Sequence, residues 1–243
     1  MYLLFDLDRT LWDFEGNADI TFRSMFDEYH LGDLCHTDLH TFHAKYREIN
    51  NMLWDMYRNG TLTKEVLYIQ RFVLPLQHFG MHDCGKLARE LGDYYVLEGP
   101  KQQGLMPHAR ELLEALTLRP HPLAIITNGF SEAQLPKMRT SHIDHYFKYF
   151  FLSEELGYMK PDRRFFDEAL KRLGATANEC LVIGDDIEVD IMGAHNASIG
   201  QIYYNPTGVY ISDRAFRPTY EVSDLMEVLP IVDQLTTEMK KNL

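Results

Sequence analysis

The chain has 243 residues, 45% hydrophobic and 25% charged, which is ordinary for a globular protein and enough for one large domain or for a domain carrying an inserted smaller one. The net charge of −12 argues against a nucleic-acid polymer as partner, because binding one needs a basic surface. No apolar run approaches the roughly 18 residues that cross a bilayer, no signal-peptide pattern precedes the first strand, and the widely spaced Cys35, Cys84 and Cys180 argue for a reducing, cytoplasmic setting without disulfides.

Tyr2-Leu3-Leu4-Phe5 reads as a short buried strand. It ends in two carboxylates, Asp6 and Asp8, with one residue between them. Open α/β sheets bind ligands at the carboxyl ends of their strands. Residues i and i+2 of an extended chain point the same way, so both carboxylates are expected to face one site. Side by side they repel each other, which implies a bound cation or a shared proton. Trp12 to Asn17 follows as an irregular connector.

From there to Glu98 the periodicity is helical. Phe22, Met25, Phe26 and Tyr29 mark one helix, with Gly32 as its stop. A second helix is expected over Thr37 to Arg58. Thr63 caps a third, which Pro75 bends or ends. A fourth covers His82 to Leu97, and the block carries no strand pattern. Glu98 to Gly104 is rich in turn residues and has the look of a linker.

Beyond it, helices alternate with short apolar strands. Pro107 suits a first helical position, and Ala109, Leu112, Leu113 and Leu116 mark the helix face. Leu123 to Thr127 is a buried strand, ended by Asn128-Gly129. Ser131 with Gln134 is expected to form a capping box for the next helix, with Pro136 inside it. Tyr149 to Leu152, Cys180 to Ile183 and Gln201 to Tyr204 are further strands. Helices separate them around Phe166 to Leu173 and Ile191 to Ala194, and a last helix is expected in the tail from Ser223. Strands spaced by helices imply parallel pairing, hence a doubly wound α/β core with an all-helical insertion after its first strand.

Polar residues collect where these strands end. Asp6-x-Asp8-x-Thr10, then Thr127, then Lys160, then Gly184-Asp185-Asp186-x3-Asp190 occur in order over essentially the whole chain. This ordered set resembles the four motifs of the haloacid dehalogenase superfamily. The resemblance implies a Rossmann-like core over 1–15 and 102–243 and a mobile helical cap over 16–101. Singly, each residue has a bland explanation: Thr127 as a strand-end turn residue, Lys160 as a surface lysine, Asp186 as a helix N-terminal acid.

Phosphoryl transfer needs a nucleophile, a cation on the phosphate oxygens and a proton donor for the leaving group. Asp6 suits the nucleophile, and Asp8 the acid and base. Thr127, Asn128 and Lys160 suit the phosphate, with Lys160 also neutralising Asp6. Asp6, Asp185 and the backbone carbonyl of Asp8 suit Mg²⁺, a hard cation that prefers oxygen. The resemblance implies the same roles and adds Asp190, ordering the waters around the metal. The related dehalogenases lack an acid at the place of Asp8, because a halide leaves without a proton; Asp8 therefore favours phosphate esters. A sugar phosphomutase is the weaker alternative, since Thr10 and Leu11 look more like the phosphatase members. Position 9, commonly glycine in the motif, is arginine here, and Arg9 is expected to point away from the carboxylates.

Asp8 to Glu15 looks like the house-cleaning pyrimidine 5'-nucleotidases, which makes a nucleoside monophosphate the expected substrate. Trp12 and Phe14 then either stack on a base or anchor the connector. The rival readings are a small-metabolite phosphatase, for phosphoglycolate or an N-acylneuraminate phosphate, and a non-catalytic phosphate-sensing protein. Arg71 is a weaker candidate for substrate contact. His36, His40 and His43 share one helical spacing, which reads more simply as an ordinary helix face than as a metal site.

Overall fold

The computed structural model describes residues 1–208 and 217–241. The chain divides into two compact units, Met1–Phe14 with the chain from Gln103 onward, and Glu15–Gln102. In chain order the elements are β1 (Tyr2–Phe5), α1 (Phe14–Glu28), α2 (Leu31–Cys35), α3 (Leu39–Arg58), α4 (Lys64–His78), α5 (Gly85–Glu98), α6 (Ala109–Thr117), β2 (Leu123–Thr127), α7 (Ser131–Thr140), β3 (Tyr149–Leu152), α8 (Ser153–Leu156), α9 (Arg163–Leu173), β4 (Cys180–Gly184), α10 (Gly193–Asn196), β5 (Gly200–Tyr204), β6 (Tyr220–Val222) and α11 (Val228–Lys241).

Among the described residues the strands form one parallel sheet in the order β3-β2-β1-β4-β5-β6. From β1 the chain builds outward through β2 and β3, then returns to place β4 on the other side of β1. The carboxyl ends of β1, β2 and β4 therefore meet where the winding reverses, the place such sheets offer to ligands. Successive side chains serve opposite faces, which is why the strands are continuously apolar. Leu3, Phe5, Ile125 and Ile183 pack with α6 and α11 on one face, while Leu4, Ala124, Ile126 and Val182 pack with α9 and α10 on the other. β6, three residues long, was not foreseen; so short a strand carries no periodic signal.

The helical unit has its own core of Phe22, Met25, Phe42, Tyr46, Phe72, Leu76 and Leu91. Thr63 caps α4 as expected, accepting from the Val66 amide at 3.4 Å. Other boundaries move for local reasons. Gly32 does not stop α1, which ends at Glu28; it lies within the short α2, set off by His30 and His36 in left-handed conformations. His36 is thus in a turn, not on a helix face with His40 and His43. Asp38 rather than Thr37 starts α3, accepting from the Thr41 amide at 2.9 Å. Pro75 sits inside α4, which runs on to His78. Pro107 precedes α6, whose N-cap His108 takes a left-handed turn.

Candidate active site

The backbone after β1 continues the ladder for one residue, with the Asp6 amide donating to the Ile183 carbonyl at 2.9 Å, and then turns. The Leu11 and Trp12 amides both return to the Leu7 carbonyl, at 2.9 and 2.8 Å. Arg9 holds this turn at φ +67°, a left-handed conformation that glycine adopts without strain. The arginine is accommodated with its guanidinium 4.5 Å from the centroid of Phe14.

The two carboxylates expected to face one site have different partners, and they lie close enough for the Asp8 charge to help raise the Asp6 carboxyl. Asp6 accepts from the Lys160 ammonium at 2.7 Å. Lys160 is 1% exposed and also donates to Asp190 at 2.6 Å and to the Ile126 carbonyl at 2.9 Å. Its three N–H bonds are thereby committed, so it acts on an anion through charge. Burial works against that ammonium, but Asp190 and Asp6 outweigh it and hold Lys160 charged, above the usual lysine range. The Asp6 carboxyl is pushed up to about 7, chiefly by burial, with Lys160 opposing and Asp190 and Asp8 adding repulsion.

Asp6, Asp185 and Asp190 each offer a carboxylate oxygen, all within 4.8 Å of one another. Burial and the charges of Asp6 and Asp190 push the Asp185 carboxyl well up, and burial also raises Asp190. The Thr10 hydroxyl donates to Asp185 at 3.0 Å. Ionised, the three carboxylates exceed the one ammonium, and an oxygen-only donor set, two of its members buried, suits a hard divalent cation. The Asp8 carboxylate stands outside this group, and Asp190, expected further from the metal, stands within it. Asp186 caps the following helical turn, accepting from the Glu188 and Val189 amides at 3.0 Å each. Gly184 is required by crowding: a Cβ there would lie 2.5 Å from Asp190 Oδ2.

Asp8 has partners the sequence reading missed. One oxygen accepts from Lys137 at 2.6 Å and the other from Gln134 at 3.0 Å. Gln134 also accepts from the Thr127 hydroxyl at 3.2 Å, which in turn accepts from the Gly129 amide at 3.0 Å. Gln134 and Ser131 therefore form no capping box; Phe130 is the N-cap. The available signal was a polar i, i+3 pair on the buried face of α7. The side chain of Asn128 grips the backbone of Lys160, donating to its carbonyl and accepting from its amide at 2.8 Å each, so it positions Lys160 rather than facing a phosphate.

Trp12 is 2% exposed within the core of the α/β unit, which makes it the anchor of the connector and not a surface for a base. Its ring lies 4.3 Å from the Lys137 ammonium, and the partly buried Phe14 ring lies 5.4 Å from it. Arg71 and the three histidines lie in the helical unit. His43 stacks on Phe22 at 4.2 Å and pairs with Asp19 at 3.0 Å, which gives it a packing role.

This order of residues on this sheet matches the haloacid dehalogenase-like hydrolase family over residues 1–198. The chain belongs to that family. Within the haloacid dehalogenase-like hydrolases it is 31% identical over 235 residues to pyrimidine 5'-nucleotidase PynA of Streptococcus pneumoniae, covering 96% of this chain and 95% of that protein. It is 29% identical to pyrimidine 5'-nucleotidase YjjG of Escherichia coli, covering 93% and 95%. Among solved structures, the haloacid dehalogenase-type hydrolase YfnB of Bacillus subtilis, bound to magnesium, matches with a TM-score of 0.84 and 29% identity, over 96% of this chain and 98% of YfnB. No helix among the described residues is long and apolar enough to cross a membrane.

Proposed function

We propose that the chain is a Mg²⁺-dependent phosphomonoester hydrolase, working through an aspartyl-phosphate on Asp6, with a pyrimidine nucleoside 5'-monophosphate as substrate. The observation that carries this is the division of labour between two acids on one strand end. Asp6 sits among the buried carboxylates with Lys160 on one oxygen. Asp8 is held by Gln134 and Lys137 instead. A nucleophile and a separate proton carrier are what ester cleavage asks for.

In the first step the Asp6 carboxylate attacks phosphorus. The Asp6–phosphorus bond forms, the ester phosphorus–oxygen bond breaks, and Asp8, which has to enter this step protonated, gives its proton to the departing oxygen. In the second step water attacks phosphorus and Asp8 takes its proton. The Asp6–phosphorus bond breaks, releasing inorganic phosphate. The Thr127 hydroxyl orients the phosphate oxygens by turning its proton from Gln134 to them, and the Lys160 charge balances both phosphate and nucleophile. Asp6, Asp185 and Asp190, with the Asp8 carbonyl, would hold Mg²⁺, which when bound screens the phosphate charge from the attacking carboxylate. The base preference is supported by the two pyrimidine 5'-nucleotidases above, each aligned over nearly the full chain.

Asp6→Asn is expected to lower phosphate release at least about a thousandfold. Turnover closer to that of the unmodified enzyme would make Asp6 the wrong nucleophile. A panel of UMP, dTMP, AMP, phosphoglycolate and sugar phosphates tests the substrate; preference for phosphoglycolate overturns the nucleotidase assignment.

A further inference from the structure

The helical unit holds buried polar groups that the chemistry at Asp6 does not use. Arg71 on α4 is 5% exposed, and its Nε and Nη2 have no hydrogen-bond partner among the described residues. Its guanidinium lies among rings instead, 5.1 Å from the centroid of Tyr95, 5.4 Å from Tyr68 and 5.5 Å from Phe72. Asn50 on α3 is 8% exposed, and its Oδ1 likewise has no partner.

Helix register places the two near one another. Phe42 stacks on Phe79 at 5.6 Å and Tyr46 meets Phe72 at 5.1 Å, so advancing along α3 means retreating along α4. One turn beyond Tyr46 is Asn50, and the matching level on α4 is that of Tyr68, against whose ring the Arg71 guanidinium lies at 5.4 Å. The phenol of Tyr46 registers the same cation: burial raises it and Arg71 draws it back down.

Interiors satisfy almost all their buried polar groups, and a shortfall shared by two neighbouring side chains marks a place where folding is not the only demand. Their unmet needs also define a ligand. The Nε–H and Nη2–H of a guanidinium are parallel donors, set for acceptors. Asn50 Oδ1 needs a donor next to them. A phosphate or carboxylate has no donor and would turn its charge on the Asn50 oxygen. A planar base edge has both kinds of group. Uracil and thymine offer N3–H between two carbonyls; cytosine offers its amino group beside N3 and O2. The Tyr68 and Tyr95 rings, each partly exposed, supply faces for stacking.

We infer that Asn50 and Arg71 form a site in the helical unit that recognises the hydrogen-bonding edge of a pyrimidine base. The choice of a pyrimidine rests on the nucleotidase reading; the site itself stands on the two unsatisfied side chains.

The test titrates uridine and cytidine, which carry a base and no phosphate, into the intact protein by calorimetry, alongside Arg71→Met and Asn50→Leu. The unmodified protein is expected to bind at least one of the two, and each variant to weaken that binding tenfold or more. The ratio of kcat/KM for UMP to that for acetyl phosphate, which has no base, is expected to fall tenfold or more in both variants. A merely structural role lowers both substrates together and leaves the ratio in place, which overturns the proposal. Absence of nucleoside binding to the unmodified protein overturns it as well. Arg71→Met keeps apolar contact with the rings while removing unmet donors, so its Tm is expected to hold or rise. Should it fail to fold, Arg71→Lys keeps the charge without the parallel fork and is expected to show the same loss of ratio. An enzyme that binds uridine through Asn50 and Arg71 yet prefers a phosphate without a base removes the nucleotidase reading and leaves the site.

Discussion

Asp6 and Asp8 lie two positions apart and are held by different partners, and two predictions follow from that separation. Lys137 and Gln134 fix both oxygens of Asp8, so they position the group that protonates the leaving oxygen. A poor leaving group needs that proton and a good one does not. Lys137→Met is therefore expected to lower kcat for UMP by about 10²–10⁴-fold. Acetyl phosphate, whose acetate leaves unaided, should change far less, and Lys137→Arg should recover part of the loss. Equal losses on both substrates would remove the positioning role. The second prediction concerns pH. The Asp6 carboxyl lies at about 7, above the ordinary 3.8, because of burial and then the charges of Asp190 and Asp8, against which Lys160 works. A raised carboxyl favours the fold while protonated, fully below about pH 4, and loses that contribution as pH rises through about 7. In EDTA, Tm should fall across that window. Mg²⁺ should flatten the fall by compensating the ionised carboxylates, and Asp6→Asn should abolish Asp6's part of it. A Tm that is level in EDTA between pH 5 and 8 contradicts this.

At the scale of elements, the sheet was legible because its strands are buried on both faces and so read as unbroken apolar runs, as in Leu123–Thr127 and Cys180–Gly184. Asp6, Thr127 and Asp185 were legible because each ends or directly follows such a run, whereas Lys160 and Asp190 lie further along the chain and were legible only through the ordered motifs. What lies on helices was not. Gln134 looked like half of a capping box because Ser131 precedes it by three, yet the same spacing also turns Gln134 and Lys137 inward toward Asp8. Sequence spacing cannot tell a side chain that turns back to its own amide from one that reaches another element. The i, i+2 spacing of Asp6 and Asp8 did not show what holds each of them, because the strand ends before Asp6 and Arg9 enters a left-handed turn. Glycines at the loop entrances carry a consequence that spacing alone hides. Replacing Gly184 with alanine sets a Cβ 2.6 Å from Asp190 Cγ, backed by the end of β4. Asp190 must move, and it is one of the three groups on the Lys160 ammonium. Gly184→Ala is expected to cost about 1–3 kcal/mol, read as a lower Tm, together with a clear loss of kcat. A lower Tm with unchanged kcat would mean that Asp190 does not govern Lys160.

At the scale of the molecule, each of the two units has a core of its own: sheet and flanking helices in one, aromatic side chains of α1, α3, α4 and α5 in the other. The chain leaves the α/β unit after Phe14 and returns at Gln103. The two ends are already joined there. The Asp13 amide donates to the Gly104 carbonyl at 3.0 Å, and Trp12 pairs with Leu105 in an antiparallel bridge. Closing this gap takes only a short turn, and short closures carry little entropy. Replacing 15–102 with a glycine-serine turn is therefore expected to give a soluble α/β protein that melts cooperatively. It retains every residue placed around Asp6 and Asp8, so acetyl phosphate hydrolysis should survive. It lacks Asn50 and Arg71, so any preference for UMP over acetyl phosphate should collapse toward unity. A folded protein that keeps that preference would place base recognition in the α/β unit, and a chain that no longer melts cooperatively would show that the α/β core depends on the insertion to fold.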